Sequence, residues 1–211
     1  DYMLRSTDSY IDEYMGVKIN LGSLPNCQKY GTCYSHSEVP YLFKSFLIQE
    51  AIEAGYEKII WCDSTIVKLG NLDPLFLHAE KYGVCAFDNL GHPLKYWIHD
   101  AAMLHLGITE TELEDMKQIM ACVIVFDIGH PTGKEIFNLW IQKGLDGLSF
   151  NMRDYKSVRP GWRGHQGDQP IISALLNIYQ VPILPYGQLC YEPHDKTKQF
   201  GEPLLVNKGI I

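Results

Sequence analysis

The stretch Lys58-Ile59-Ile60-Trp61-Cys62 is apolar and of strand length, and it runs straight into Asp63, Ser64 and Thr65 before turning apolar again at Ile66 and Val67. A short apolar run that halts at a polar turn reads as a buried strand. A carboxylate at the carboxyl end of such a strand sits at the edge where open α/β sheets bind ligands. It has lost water on one side and faces a cleft on the other, a place for a metal ion or a nucleotide hydroxyl.

The segments around this strand alternate. Leu4 to Met15 reads as a short helix, and Val17–Leu21 as a strand that stops at Gly22. Ser37 is placed to cap a helix over Glu38–Ala54, with Phe43, Phe46, Leu47, Ala51 and Ala54 on one face and Gly55 closing it. Leu75–Lys81 reads as a helix and Gly83–Phe87 as a strand. Residues 94–118 mix helix and loop, and Ile119–Phe126 is an unbroken apolar run. Thr132 is placed to cap a helix reaching Lys143. Gly144 to Gly167 is dense in Gly, Arg, Pro and aromatics without periodicity, Asp168 opens a helix to Tyr179, and Val181–Pro185 gives a last strand. Strand alternating with helix predicts an α/β sheet with helices on both faces.

The 211 residues suggest one domain spanning 1–211, and 46% apolar residues are enough for a core. The chain opens at Asp1 rather than Met, so we expect it to be trimmed or cut from a longer polypeptide. Net charge is -7, which argues against nucleic acid, because phosphate backbones call for clustered Lys and Arg. No apolar window is long enough to span a membrane and no signal-peptide pattern is present. The cysteines at 27, 33, 62, 85, 122 and 190 lack a CxxC spacing, and Cys62, Cys85 and Cys122 lie in strand-like runs. They read as reduced, intracellular thiols, so the expected location is cytoplasmic.

The run continues as IIWCDSTIVKLGNLDPLF over residues 59–76. This string resembles the metal-site segment of GT-A glycosyltransferases, especially glycosyltransferase family 8: a strand ending in D-x-D, a few apolar residues, Gly, an acidic or amide residue, Leu and a helix. YLFKSFLIQEAIEAGY before it resembles the helix that leads into that motif. MACVIVFDIGHPTGKEIFNLW resembles the next strand and helix, and HQGDQPIISALL the segment where an Asp-Gln pair opens a helix. The likeness covers roughly residues 38–180 and is similar to a soluble glycosyltransferase domain of chlorella viruses.

The resemblance implies a single GT-A-type domain with a mixed, mostly parallel central sheet. It implies transfer of a hexose or deoxyhexose, of glucose, galactose or rhamnose type, from a UDP-sugar to a glycan or glycoprotein hydroxyl. Donor contacts then fall to Lys44, Asp63, Ser64 and Thr65, with Asp63 and a late histidine, His194, on Mn²⁺ or Mg²⁺. Asp168 and Gln169 lie beside the donor sugar as the catalytic pair. Such a transfer passes through an oxocarbenium-like state, which a nearby carboxylate or amide dipole stabilises.

Thr65 stands where the family has its second aspartate, so one acid is left to hold what two usually hold. A hard cation needs several oxygens, some of which a donor diphosphate supplies. Asp63 and Thr65 binding ribose hydroxyls instead is an open alternative. In the aperiodic segment before Asp168, Trp162 could stack on an acceptor sugar, His165 could contact an acceptor, and Arg153, Arg159 or Arg163 could meet diphosphate. A segment of that length reads as a lid. Asp127 and Asp88-Asn89 read as caps and turns.

Two other functions fit part of the pattern. A nucleotide-sugar-binding domain that lost catalysis is compatible with Thr65. A haloacid dehalogenase-type phosphohydrolase also places an aspartate after an apolar strand, but those enzymes resemble D-x-D-x-T, and no later Asp-Asp pair exists here.

Overall fold

The computed structural model describes residues 2–3, 16–17, 38–191 and 203–208. Its centre is a three-stranded sheet ordered β3–β8–β5, formed by β3 (Lys58–Cys62), β8 (Val123–Asp127) and β5 (Val84–Cys85). Both pairings are antiparallel: Ile60 lies opposite Val125, and Val84 opposite Phe126. The expected mostly parallel sheet is therefore not what the described strands form. β8 runs opposite to the two strands that flank it. Among the described residues, parallel pairing is confined to the bridge Phe87–Leu184 and to β9 (Leu189–Tyr191) on β10 (Leu205–Asn207).

Period-two alternation splits the core across this sheet. Ile59, Trp61, Ile124, Phe126, Val84 and Ala86 face one way. They pack under α1 (Leu42–Glu53), α5 (Pro131–Leu145) and α6 (Asp168–Ile178). Ile60, Val123, Val125, Cys85 and Phe87 face the other way. That face is covered by α2 (Asp73–Tyr82) and by the sheet in which β10 lies between β9 and β4 (Ile66–Lys68). Helices thus cover one face, while a helix and a small sheet share the other.

Several element boundaries move for local reasons. α1 begins at Leu42 rather than Glu38, since Pro40 disfavours helix at Val39 and Tyr41 takes a left-handed φ of 67°. Ser37 and the expected Leu4–Met15 helix lie outside the described residues. Of the expected Val17–Leu21 strand, only β2 (Gly16–Val17) is described, antiparallel to β1 (Tyr2–Met3). The apolar run 119–126 is two strands: β7 (Lys117–Ile119) pairs with β6 (Asp88–Pro93), and the chain turns through Met120–Cys122 before β8. His130, not Thr132, caps α5, accepting from the Thr132 N–H at 3.2 Å, while Asp127 accepts from the His130 N–H at 3.2 Å. Val181–Pro185 contributes the Leu184 bridge rather than a strand.

Residues 94–118 fold as a 3₁₀ turn, Leu94–Tyr96, then α3 (Asp100–His105) and α4 (Glu110–Leu113), the latter opened by a Thr109–Glu112 capping box. Cys62, Cys85 and Cys122 form no disulfide, and burial pushes the Cys62 and Cys85 thiols up to about 12.

Candidate functional site

Three distant segments meet at the end of β3. The chain leaves the strand at Asp63, whose N–H donates to the Cys122 carbonyl at 2.8 Å, and the Ile66 N–H returns to the Asp63 carbonyl at 2.9 Å. Lys44 lies in the first turn of α1. Asp168 opens α6 after Gly167, whose φ of 63° only glycine adopts readily. A Cβ on Gly167 would also stand 2.8 Å from the Tyr41 ring, so glycine lets the loop reach this point.

Lys44 ties the segments together. Its ammonium is 3.3 Å from Asp63 Oδ1 and 3.4 Å from Asp168 Oδ2, and it donates to the Ala121 carbonyl at 3.1 Å. It lies 5.0 Å from the Tyr41 ring centroid and 5.7 Å from that of Trp61. The Trp61 indole N–H donates to Asp63 Oδ1 at 2.7 Å, and that of Trp140 reaches the Asp168 backbone carbonyl at 3.4 Å. Lys44 and Asp168 are almost wholly buried (side chains 4% and 3% exposed), whereas Asp63 is 34% exposed.

The charges are unequal by position. Burial alone would drive the Lys44 ammonium down, but Asp168 and Asp63 together outweigh it and hold the group above its ordinary range. Asp168 has half a share of one cation. Burial pushes its carboxyl up to about 6 against the pull of Lys44, and the neighbouring Asp63 charge adds to the rise. The Tyr41 phenol is raised by burial and then by Asp168. Two carboxylates sharing one ammonium leave a net negative site, with Asp168 the group that changes protonation near neutral pH.

Gln169 is half-buried beside Asp168. Its Nε2 donates to Gln166 Oε1 at 3.0 Å, and its backbone carbonyl accepts from Ser173 Oγ at 2.6 Å. Ser64 is exposed and Thr65 half-buried, with the Thr65 carbonyl accepting from the Lys208 N–H at 3.0 Å. His194 lies outside the described residues.

The segment 144–167 is tied down rather than free-standing. Arg159 donates from Nε to Asp100 at 2.9 Å and from Nη2 to the Ile98 carbonyl, which ties it to the loop. Arg163 lies over the Tyr96 and Trp97 rings. Trp162 is half-buried, and its indole N–H has no partner among the described residues.

His165 is not at the surface where an acceptor contact was expected. It is buried, Nε2 donates to the Ser149 carbonyl at 2.8 Å, and Nδ1 accepts from the His99 N–H at 3.3 Å. Burial, with His99 beside it, pushes the imidazole down to about 3, so it stays neutral and holds the loop against α3.

Among the described residues no group of three His, Cys, Asp or Glu side chains is placed to hold a metal. Asp63 Oδ1 is taken by Trp61 and Lys44, which leaves Oδ2 on this part-exposed side chain. Sequence reasoning missed Trp61 and Tyr41. Trp61 was findable, since residues two apart on a strand share a face. Tyr41 was not, because its approach depends on a left-handed backbone.

No family model matches the chain, and no curated protein matches it. Among solved structures, the chain is similar to the apo form of mouse xyloside xylosyltransferase 1, with a TM-score of 0.43 and 13% identity. The match covers 79% of this chain and 62% of that one, so it spans less than two thirds of that protein's length.

Proposed function

We propose that this chain is a nucleotide-sugar glycosyltransferase of GT-A type, akin to family 8 and to the chlorella virus domains its motifs resemble. One observation carries the reading: Lys44, Asp63 and Asp168, three residues that the motif resemblance puts around a sugar nucleotide, form one ion-paired cluster. The donor is a UDP-hexose or UDP-deoxyhexose and the acceptor a glycan hydroxyl. Asp63, Ser64 and Thr65 take the nucleotide side and Asp168 and Gln169 the sugar side. An ionised Asp168 and the Gln169 carbonyl face the positive charge that develops at the anomeric carbon. Trp162 remains the candidate platform for the acceptor. The expected site of action is the cytoplasm.

Mn²⁺ or Mg²⁺ would meet this chain at Asp63 Oδ2, with the Thr65 hydroxyl, His194 and the donor diphosphate as further partners. When bound, such an ion neutralises charge on the departing diphosphate. Thr65, standing where a second carboxylate is expected, supports a second reading, a nucleotide-sugar-binding domain without turnover.

Thermal-shift measurements with UDP, UDP-glucose, UDP-galactose and UDP-rhamnose, with and without Mn²⁺, test the proposal alongside UDP release. Stabilisation by a uridine nucleotide plus UDP release supports the transferase. Stabilisation without release selects the binding domain. Phosphate release from a simple phosphomonoester selects the hydrolase, and no shift with any uridine nucleotide overturns the proposal.

A further inference from the structure

The irregular segment before α6 carries a polar device next to Gln169. Gln166 Oε1 accepts two side-chain hydrogen bonds, one from Gln169 Nε2 at 3.0 Å and one from Gln118 Nε2. Gln118 comes from β7, the strand packed against α6, and is fully buried. Its other amide atom, Oε1, is buried without a partner among the described residues. Leaving a buried carbonyl unpaired is costly, so its neighbours hold this amide in place despite that penalty.

A carboxamide has one donor end and one acceptor end. With its Nε2 committed to Gln166, Gln169 must turn its carbonyl oxygen the other way. That oxygen has no partner among the described residues and is not sealed from solvent. The Gln169 backbone is held as well, since Ser173 Oγ donates to its carbonyl at 2.6 Å and accepts from the Ile119 N–H at 3.1 Å. Strand β7 thus holds Gln166, just before α6, and Ser173 within it, and both bear on Gln169, while Lys117 pairs with Asn177 farther along the helix.

We propose that Gln166, held by Gln118, is a positioning residue that sets the orientation of the Gln169 carboxamide and aims its carbonyl oxygen at the donor sugar. The proposal rests on the glycosyltransferase reading for what the oxygen meets, and on hydrogen-bond geometry alone for which way it points. Gln166 acts here as an acceptor, so glutamate can replace it and an isosteric apolar residue cannot.

The experiment compares wild type, Gln166→Glu and Gln166→Leu, each checked for folding by melting temperature. Turnover of the UDP-sugar that gives the greatest UDP release is measured with ¹⁵N–¹H spectra of the Gln169 side-chain amide. The expected result is that Gln166→Leu lowers kcat about threefold to tenfold, the worth of one hydrogen bond, with KM for the donor little changed. Gln166→Glu keeps kcat within about twofold of wild type by the same measure, and the Gln169 amide signal moves in the leucine variant but not in the glutamate one. A leucine variant with wild-type kcat and an unmoved Gln169 signal overturns the proposal. So does a glutamate variant as slow as the leucine one, which would make Gln166 the donor. If wild type turns over no UDP-sugar, the glycosyltransferase reading falls separately, and the amide spectra still decide the positioning claim.

Discussion

Replacing Lys44 by methionine keeps an unbranched side chain of similar length and removes the shared cation, so its cost reports the electrostatics of the site. In wild type, Asp168 has a folded value of about 6, above its ordinary 3.8, so its contribution to stability falls as pH rises between those values and is level above them. Lys44 is shifted upward, so its own contribution is constant throughout the neutral range. Without Lys44, the buried Asp168 carboxyl loses its counter-ion, and at about pH 8 it either stays a buried charge without a cation or takes up a proton, and both cost stability. Breaking one partner out of a buried ion pair costs about 3–5 kcal/mol. For a chain of this size that is about 6–20 °C in melting temperature.

At about pH 5, Asp168 is largely protonated in the native state, and the change costs much less. What is lost then is the pairing with part-exposed Asp63, about 1 kcal/mol or less, and the bond to the Ala121 carbonyl, about 1 kcal/mol. Differential scanning fluorimetry of wild type and Lys44→Met at the two pH values measures this directly. Adding Asp168→Asn to Lys44→Met recovers most of the loss at pH 8. Equal destabilisation at both pH values, or no recovery in the double variant, would refute the view that Lys44 serves chiefly to hold a buried carboxylate.

Further expectations follow from the same geometry. UDP release by wild type rises with pH through about 6 as Asp168 ionises and then levels, whereas Asp168→Asn is slow and flat, read from kcat/KM across pH. Trp61→Phe keeps the ring but removes the 2.7 Å bond to Asp63 Oδ1, lowering stability by about 1–2 kcal/mol and weakening uridine-nucleotide binding in calorimetry. Gly133→Ala drives a Cβ onto the Asp127 and Gly83 carbonyl oxygens where α5 meets β5 and β8. Backbone cannot yield there as a flexible side chain would, so urea unfolding should show a loss of about 1–3 kcal/mol or more.

The legible part of the site was its local part. Asp63 at a strand end and Asp168 in the first turn of a helix were visible because apolar run length and helix-start residues are encoded within a few positions, although Gly167 and not Asp168 is the N-cap and no side chain caps α6. His165 was misread, since a histidine among glycines in an aperiodic segment carries no burial signal. Its burial comes from the His99 N–H and the Ser149 carbonyl, respectively 66 and 16 residues away. The apolar run 119–126 also misled, because a strand break inside an apolar stretch leaves no polar residue to mark it.

The sequence by itself determined that β3, β8 and β5 are buried, that helices flank them, and which carboxylates stand at element ends. Hydrophobic period and turn residues specify those facts locally. Only the tertiary structure decided that the three strands pair antiparallel, because the same apolar run suits either direction. It also decided that Lys44 stands between Asp63 and Asp168, a meeting of segments 19 and 105 residues apart in the chain. An exposed lysine and a buried one look alike in sequence. The difference is whether folding brings two carboxylates and a carbonyl to meet the charge, as it does here.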